Sequence, residues 1–194
     1  MFEPNKRGRA HRSNDRNTRY ATHIPVLKEC INALSASKER PIHVIEHGMG
    51  LGSTPFFHSL QHVKKITSFE RELEWIWCAS CISGSKQDHT MILLENDNAI
   101  EQIKQYIDDP SRTVALIDGY ASQRVKVLEV WMNLGIKFIV EHDGEVLTHG
   151  EITIRRKLAL ANNYVAMQYT GHDPETVLFV KSALPQLPDS YQPF

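Results

Sequence analysis

PIHVIEHGMGLGSTPFFHSL, residues 41–60, holds a strand, a glycine turn and a helix start in direct succession. Ile42 to Ile45 is a short apolar run that leads into Glu46. Gly48, Gly50 and Gly52 follow at every second position. Ser53 and Thr54 then precede Pro55. A hydroxyl before proline is a helix-start signature, because the hydroxyl accepts from unpaired N–H groups and proline fits the first helical position. The glycines therefore fall on a strand-to-helix turn, where N–H groups point outward and the helix dipole is positive. Without side chains on that turn, a ligand reaches the main chain.

Spacing narrows the ligand. The dinucleotide fingerprint is G-x-G-x-x-G, whereas this chain reads G-x-G-x-G with an acid two residues before the first glycine. Glu46, Gly48, Gly50 and Gly52 in that order resemble motif I of the class I S-adenosylmethionine-dependent methyltransferases. The resemblance implies that these four, with Ser53 and Thr54, line a cofactor site. A tight glycine turn in any α/β protein is the plainer reading.

The chain has 194 residues, enough for one domain with a sizeable core. Hydrophobic residues are 41% and charged residues 23%, the balance of an ordinary globular protein. A formal net charge of −1 argues against the whole molecule being a nucleic-acid or membrane binder. The apolar runs are far shorter than a bilayer span. The polar, basic start lacks the apolar core of a secretory signal. Three cysteines, an odd number, argue against a disulfide framework and fit a reducing, cytoplasmic setting.

Residues 1–21 form a basic arm with Lys6, Arg7, Arg9, Arg12, Arg16 and Arg19. Such an arm suits phosphate, which leaves nucleic acid open as a partner, but a solvated terminus is the simpler expectation. Leu27, Cys30, Ile31 and Leu34 recur at helical spacing, with Thr22 as the expected cap. The helix from Pro55 is expected to end near Val63. A second strand, Lys65 to Phe69, ends in Glu70, 18 residues after Gly52. An acid at the tip of the second strand of a βαβ unit can accept both ribose hydroxyls. Leu73 to Ile82 reads as a helix holding Cys78-Ala79-Ser80-Cys81. No second cysteine pair completes a zinc site, so buried thiols are expected there.

Thr90 to Leu94 is a third strand, followed by Asp97 and Asn98 and a helix through Ile100, Ile103 and Tyr106. Thr113 to Ile117 is an apolar fourth strand ending in Asp118-Gly119. Ser122 is the expected cap of the next helix, which Leu134-Gly135 closes. The fifth strand, Lys137 to Val140, ends in Glu141-His142-Asp143. Ile152 to Asn162 is a further helix. Tyr164 to Tyr169 and Thr176 to Val180 read as a hairpin joined through Gly171-His172-Asp173-Pro174. The tail 184–194 is rich in proline and expected to be extended.

As a set, these elements resemble the class I methyltransferase fold over residues 22–183. The expected architecture is α/β: a doubly wound, mostly parallel, seven-stranded Rossmann-like sheet with helices on both faces and a C-terminal antiparallel hairpin. The resemblance further implies that Asp97 or Asn98 meets the adenine amino group. It also implies that the IDG and HD steps after strands four and five belong to a small-molecule O-methyltransferase, in which such acids can hold a divalent ion such as Mg2+. Asp118 is then a metal ligand or a contact to the methionyl part of the donor. Ligands of doubly wound sheets bind at the carboxyl ends of strands, which is where Asp118, His142 and Asp143 fall. Methyl transfer needs donor and acceptor positioned, water excluded and the acceptor's proton removed. Those three are the catalytic candidates.

Absences narrow the acceptor. There is no [DN]-P-P-[FYW] after the fourth strand, no Pro-Cys pair and no complete Lys-Asp-Lys-Glu tetrad. A small hydroxylated molecule is the remaining expectation. The short connections leave little room for a lid, so residues 1–40, Glu141 to Glu151 or a second subunit of a homo-oligomer must supply specificity. Two other readings stay open: a nucleotide-cofactor oxidoreductase with an atypical turn, and a cofactor-binding module without catalysis.

Overall fold

The computed structural model describes residues 23–36, 40–83, 88–142, 148–169, 176–181 and 191–193. The basic arm, Asp143, the link through Gly171 to Pro174 and most of the tail lie outside them. In chain order the elements are α1 (Ile24–Ser35), β1 (Ile42–His47), α2 (Ser53–Ser59), β2 (Val63–Glu70), α3 (Leu73–Ser83) and β3 (His89–Leu93). Two 3-10 segments follow, Asp97–Tyr106 and Pro110–Arg112. Then come β4 (Thr113–Ile117), α4 (Ala121–Leu134), β5 (Phe138–Glu141), α5 (His149–Ala161), β6 (Tyr164–Tyr169), β7 (Thr176–Lys181) and β8 (Tyr191–Pro193).

The strands form one sheet in the order β3-β2-β1-β4-β5-β7-β6-β8. β1 to β5 run parallel, and β7 inserts antiparallel between β5 and β6. These seven strands make the Rossmann-like sheet expected from the sequence. The tail adds an eighth: β8 pairs antiparallel with β6, Tyr191 opposite Tyr169.

Burial explains why the parallel strands read as continuous apolar runs. Alternate residues go to opposite faces. Val44, Val114, Leu116, Phe138 and Val140 pack with α1 and with Phe57 of α2. Ile45, Ala115, Ile117 and Ile139 pack on the other face with Val127, Leu128 and Trp131 of α4. The sheet is thus covered on both sides, and its functional groups are left to the strand ends.

Element ends depart from the sequence reading in several places. α1 is capped at His23, without a side-chain cap bond, and not at Thr22. α2 begins at Ser53 after Gly52, and neither hydroxyl caps it. It ends at Ser59, because Leu60 is extended and Val63 already pairs with Ile42. α4 starts one residue before Ser122, again with no side-chain cap. Its C-terminus does follow expectation: Gly135 has φ +78°, its N–H reaches Met132 O, and Ile136 N–H reaches Trp131 O. In α3, Cys78 and Cys81 are exposed, against the expectation of buried thiols; Cys30 alone of the three cysteines is buried. α3 lies beside the edge strands and seats Ala79 fully, while Trp77 stays 69% exposed.

Candidate active site

The glycine turn is built from below. Glu46 is fully buried at the end of β1 and accepts three hydroxyls: Ser68 at 2.6 Å, Thr54 at 2.8 Å and Ser53 at 3.0 Å. Burial pushes its carboxyl up to about 7, against the pull of those three hydrogen bonds. Thr54 in turn accepts from Gly50 N–H at 3.3 Å. Ser53 and Thr54 are also buried. The three residues expected to touch a ligand therefore expose no surface to one; they brace the turn. Ser68 spends its proton on Glu46, so it is the His89 Nε2–H that donates to Ser68, and His58 Nε2–H that donates to His89 Nδ1, both at 2.8 Å.

Half of the N–H groups of residues 48–53, expected to point outward along the turn, are spent inside the protein. Gly48 donates to Phe69 O at 2.7 Å and Met49 donates to Glu70 Oε2 at 2.8 Å. Glu70 Oε1 accepts from Arg71 N–H at 2.6 Å and Glu72 N–H at 2.9 Å. Its carboxylate sits at the tip of β2, as the sequence led one to expect, and it also clamps the turn. A carboxylate offers about four acceptor positions, so one remains on Oε2. Leu51, Gly52 and Ser53 have no N–H acceptor among the described residues.

Gly48 is required by contact. Its φ is +93°, and a Cβ there would lie 2.4 Å from Gly119 N and 2.5 Å from Gly119 Cα. The loops after β1 and β4 thus touch backbone to backbone. Gly119 is pressed from the other side: a Cβ there would lie 2.6 Å from the His47 ring. Gly50 is different, since its Cβ would meet Ser53 Oγ at 3.3 Å and nothing else closer than 3.9 Å. The turn is therefore tight at its first glycine and open at its second.

Beside it, the ends of β4 and β5 bring Asp118 and His142 together. His142 Nδ1 lies 2.9 Å from Asp118 Oδ1. Burial alone would raise the Asp118 carboxyl, but the hydrogen bond and charge of His142, with His23 and Arg124, hold it below its ordinary value. Arg124 stitches the two loops together. Its Nε donates to Gly119 O at 2.9 Å, its Nη1 to His142 O at 2.8 Å, and its Nη2 lies 3.8 Å from Asp118 Oδ1. His47 reaches Gln123 Oε1 at 3.1 Å beneath.

Three expectations need separate statements. Asp97 and Asn98 open the 3-10 segment that follows β3, at the same edge of the sheet. Asp143 lies outside the described residues. Glu141 is withdrawn from any ligand role, because Arg155 grips it through Nε–Oε2 at 2.8 Å and Nη2–Oε1 at 2.6 Å, both side chains buried.

His23 is the residue that sequence reading missed. It begins α1, is 1% exposed, and meets the His142 ring edge-on with centroids 4.5 Å apart. Burial, more than the repulsion of His142, drives its imidazole down to about 4 despite Asp118. Nothing in its local sequence marks it, because its partners lie 95 and 119 positions further on. His47 and Arg124 escaped notice for the same reason.

No protein-family model and no curated protein matches the chain. Solved structures do. An rRNA methylase from Streptococcus thermophilus superposes with a TM-score of 0.56 at 19% identity, over 79% of this chain and 94% of its own. An N-methyltransferase from Bradyrhizobium japonicum gives 0.51 at 14%, over 83% and 97%. Magnesium protoporphyrin IX methyltransferase from Synechocystis, solved with SAM bound, gives 0.51 at 13%, over 82% and 80%. The chain has the class I methyltransferase fold. These neighbours are named for different acceptors, so the fold does not choose one. Among the described residues no helix is long and apolar enough to cross a membrane.

Proposed function

We propose that this chain is an S-adenosylmethionine-dependent methyltransferase that methylates a hydroxyl of a small molecule. The observation that carries the reading is the Asp118–His142 pair at the carboxyl edge of the sheet, beside a glycine turn open at Gly50. The residues present fit the cofactor. Glu70 retains an acceptor position for a ribose hydroxyl, the N–H groups of Leu51 and Gly52 are available, and a side chain at Gly50 would fill the approach. Arg71 lies over the Tyr120 ring at 4.5 Å, joining the tips of β2 and β4 across this edge.

When bound, the cofactor supplies a methyl group on a sulfonium, and it leaves as a neutral thioether. The protein's work is positioning and proton removal. Asp118, the more exposed member of the pair at 22%, faces the acceptor. His142 behind it hydrogen-bonds the same carboxylate at 2.9 Å and so positions it. Asp118 fixes the His142 tautomer by accepting from Nδ1–H.

The Mg2+ expected with the resemblance does not fit the donors found here. Mg2+ takes oxygen ligands, and the described residues bring one carboxylate and two imidazoles together. Proton removal is therefore assigned to the side chains.

Calorimetric titration with S-adenosylmethionine and with NAD, followed by transfer assays on hydroxylated small molecules, tests the reading. S-adenosylmethionine should bind and NAD should not. Asp118→Asn should lower kcat about 100-fold or more and leave cofactor affinity within about threefold. Preference for NAD would sink the class, and binding without turnover on any acceptor would leave a cofactor-binding module.

A further inference from the structure

We propose that His23, Asp118 and His142 form a binding site for one borderline divalent cation of the zinc class. The three offer one ligand atom each, and those atoms all lie within 4.8 Å of one another. Asp118 Oδ1 and His142 Nδ1 are 2.9 Å apart. Two ligands each about 2.1 Å from one ion, at roughly a right angle, have that separation. The His23 and His142 rings are tilted by 72° and not stacked, so an ion can approach the edge of both.

His23 supplies the independent reason. It is 1% exposed, and among the described residues neither of its ring nitrogens has a hydrogen-bond partner. Burying an imidazole with neither nitrogen satisfied is destabilising. A metal ion is the partner that fits, since neutral imidazole is the commonest metal ligand. Asp118 supplies the one carboxylate of the three.

Donor chemistry selects the ion. Two nitrogens and one carboxylate suit zinc, ferrous iron or cobalt, and disfavour Mg2+. Arg124 and the N-terminal dipole of α1 oppose a cation here. Arg124 donates to two backbone carbonyls, and its Nη2 lies 3.8 Å from Asp118 Oδ1. Three protein ligands leave coordination positions open, the arrangement of a reactive rather than a purely structural ion. When an ion binds, His142 Nδ1 gives up its proton to become a ligand, and the ion would take over from the metal-free Asp118–His142 pair the activation of an acceptor hydroxyl; that role rests on the methyltransferase reading, whereas the binding of the ion does not.

The test is calorimetry of the full chain, stripped with a chelator, against Zn2+ and against Mg2+, with Co2+ absorption as a second readout. One Zn2+ per chain should bind, with visible ligand-field bands when Co2+ replaces it. Mg2+ should bind at least about 100-fold more weakly. His23→Gln should weaken Zn2+ by roughly 100-fold, at the upper end of what even outer-shell changes cause. Circular dichroism should show that variant folded, and Asp118→Asn serves if it is not. Cys78→Ser with Cys81→Ser should leave binding unchanged. Zn2+ affinity equal in wild type and both ligand variants overturns the site, as does loss of binding in the cysteine variant. Cofactor titration in parallel separates the two ideas. S-adenosylmethionine binding and acceptor turnover without Zn2+ binding remove the site and keep the enzyme reading. Zn2+ binding without cofactor binding does the reverse.

Discussion

Gly48 and Gly50 belong to one motif and do opposite work. Gly48 combines φ +93° with a backbone contact that a Cβ would drive to 2.4 Å. Gly48→Ala should lower stability by about 3 kcal/mol, the sum of a strained dihedral and overpacking. Gly50 carries no such strain. Gly50→Arg should keep its denaturation midpoint within about 1 kcal/mol of wild type and bind S-adenosylmethionine at least tenfold more weakly. Urea titration and calorimetry on the two variants settle the matter, and equal cofactor affinity for Gly50→Arg would detach the turn from ligand binding. The sequence showed the motif but could not divide its labour. That division depends on Gly119, 71 positions away in the chain and pressed against Gly48 in space. Glu46 teaches the same lesson. Its place before the glycines was legible, but its partner Ser68 arrives through strand pairing, Glu46 opposite Ser68 in the β1–β2 register.

At the scale of elements, the parallel strands were readable because burial on both faces leaves apolar runs. Helix faces were harder. In α3, Leu73, Trp75, Ile76, Trp77, Cys78 and Cys81 crowd the helix on every side, so no stripe marks the buried face. The start of α5 could have been read and was not. Thr148 and Glu151 form a capping box, with Thr148 N–H to Glu151 Oε2 at 2.8 Å and Glu151 N–H to Thr148 Oγ1 at 3.3 Å. What anchors α5 to the sheet is invisible in local sequence: the bidentate grip of Arg155 on Glu141 of β5. Arg155→Met strands a buried carboxylate and should cost about 3–5 kcal/mol. Glu141→Leu combined with Arg155→Met should recover more than half of that in urea midpoints, because the unpaired charge is gone. A double variant no more stable than the single one would mean that shape, and not charge, holds the joint.

The pH dependence of the whole molecule's stability should be set by buried groups whose shifts oppose one another. Burial lowers His23, His43, His47 and His89 to about 4, from an ordinary 6.5. Each contributes stability above pH 6.5 that is lost as pH falls through about 4, because the unfolded chain takes up the proton first. Glu46 works in the other direction. Its carboxyl is raised from 4.5 to about 7, so its contribution is complete below 4.5 and lost as pH rises through 7. Between 4.5 and 6.5 the four imidazoles outweigh the one carboxyl, so stability should climb with pH. Above 6.5 the residual slope of the four imidazoles and the opposing slope of Glu46 nearly cancel. Urea midpoints measured from pH 4.5 to 8.5 should therefore climb to about pH 7 and then level off. His43 is the cleanest probe, since it lies inside β1, is 7% exposed, and among the described residues hydrogen-bonds Thr67 alone, at 2.9 Å. His43→Gln should shallow the acid side by about 2 kcal/mol, and Glu46→Gln should steepen the rise between pH 4.5 and 7. A rise left unchanged by Glu46→Gln would mean that Glu46 is ionised throughout. In that case the three hydroxyls around it, and not burial, govern its charge.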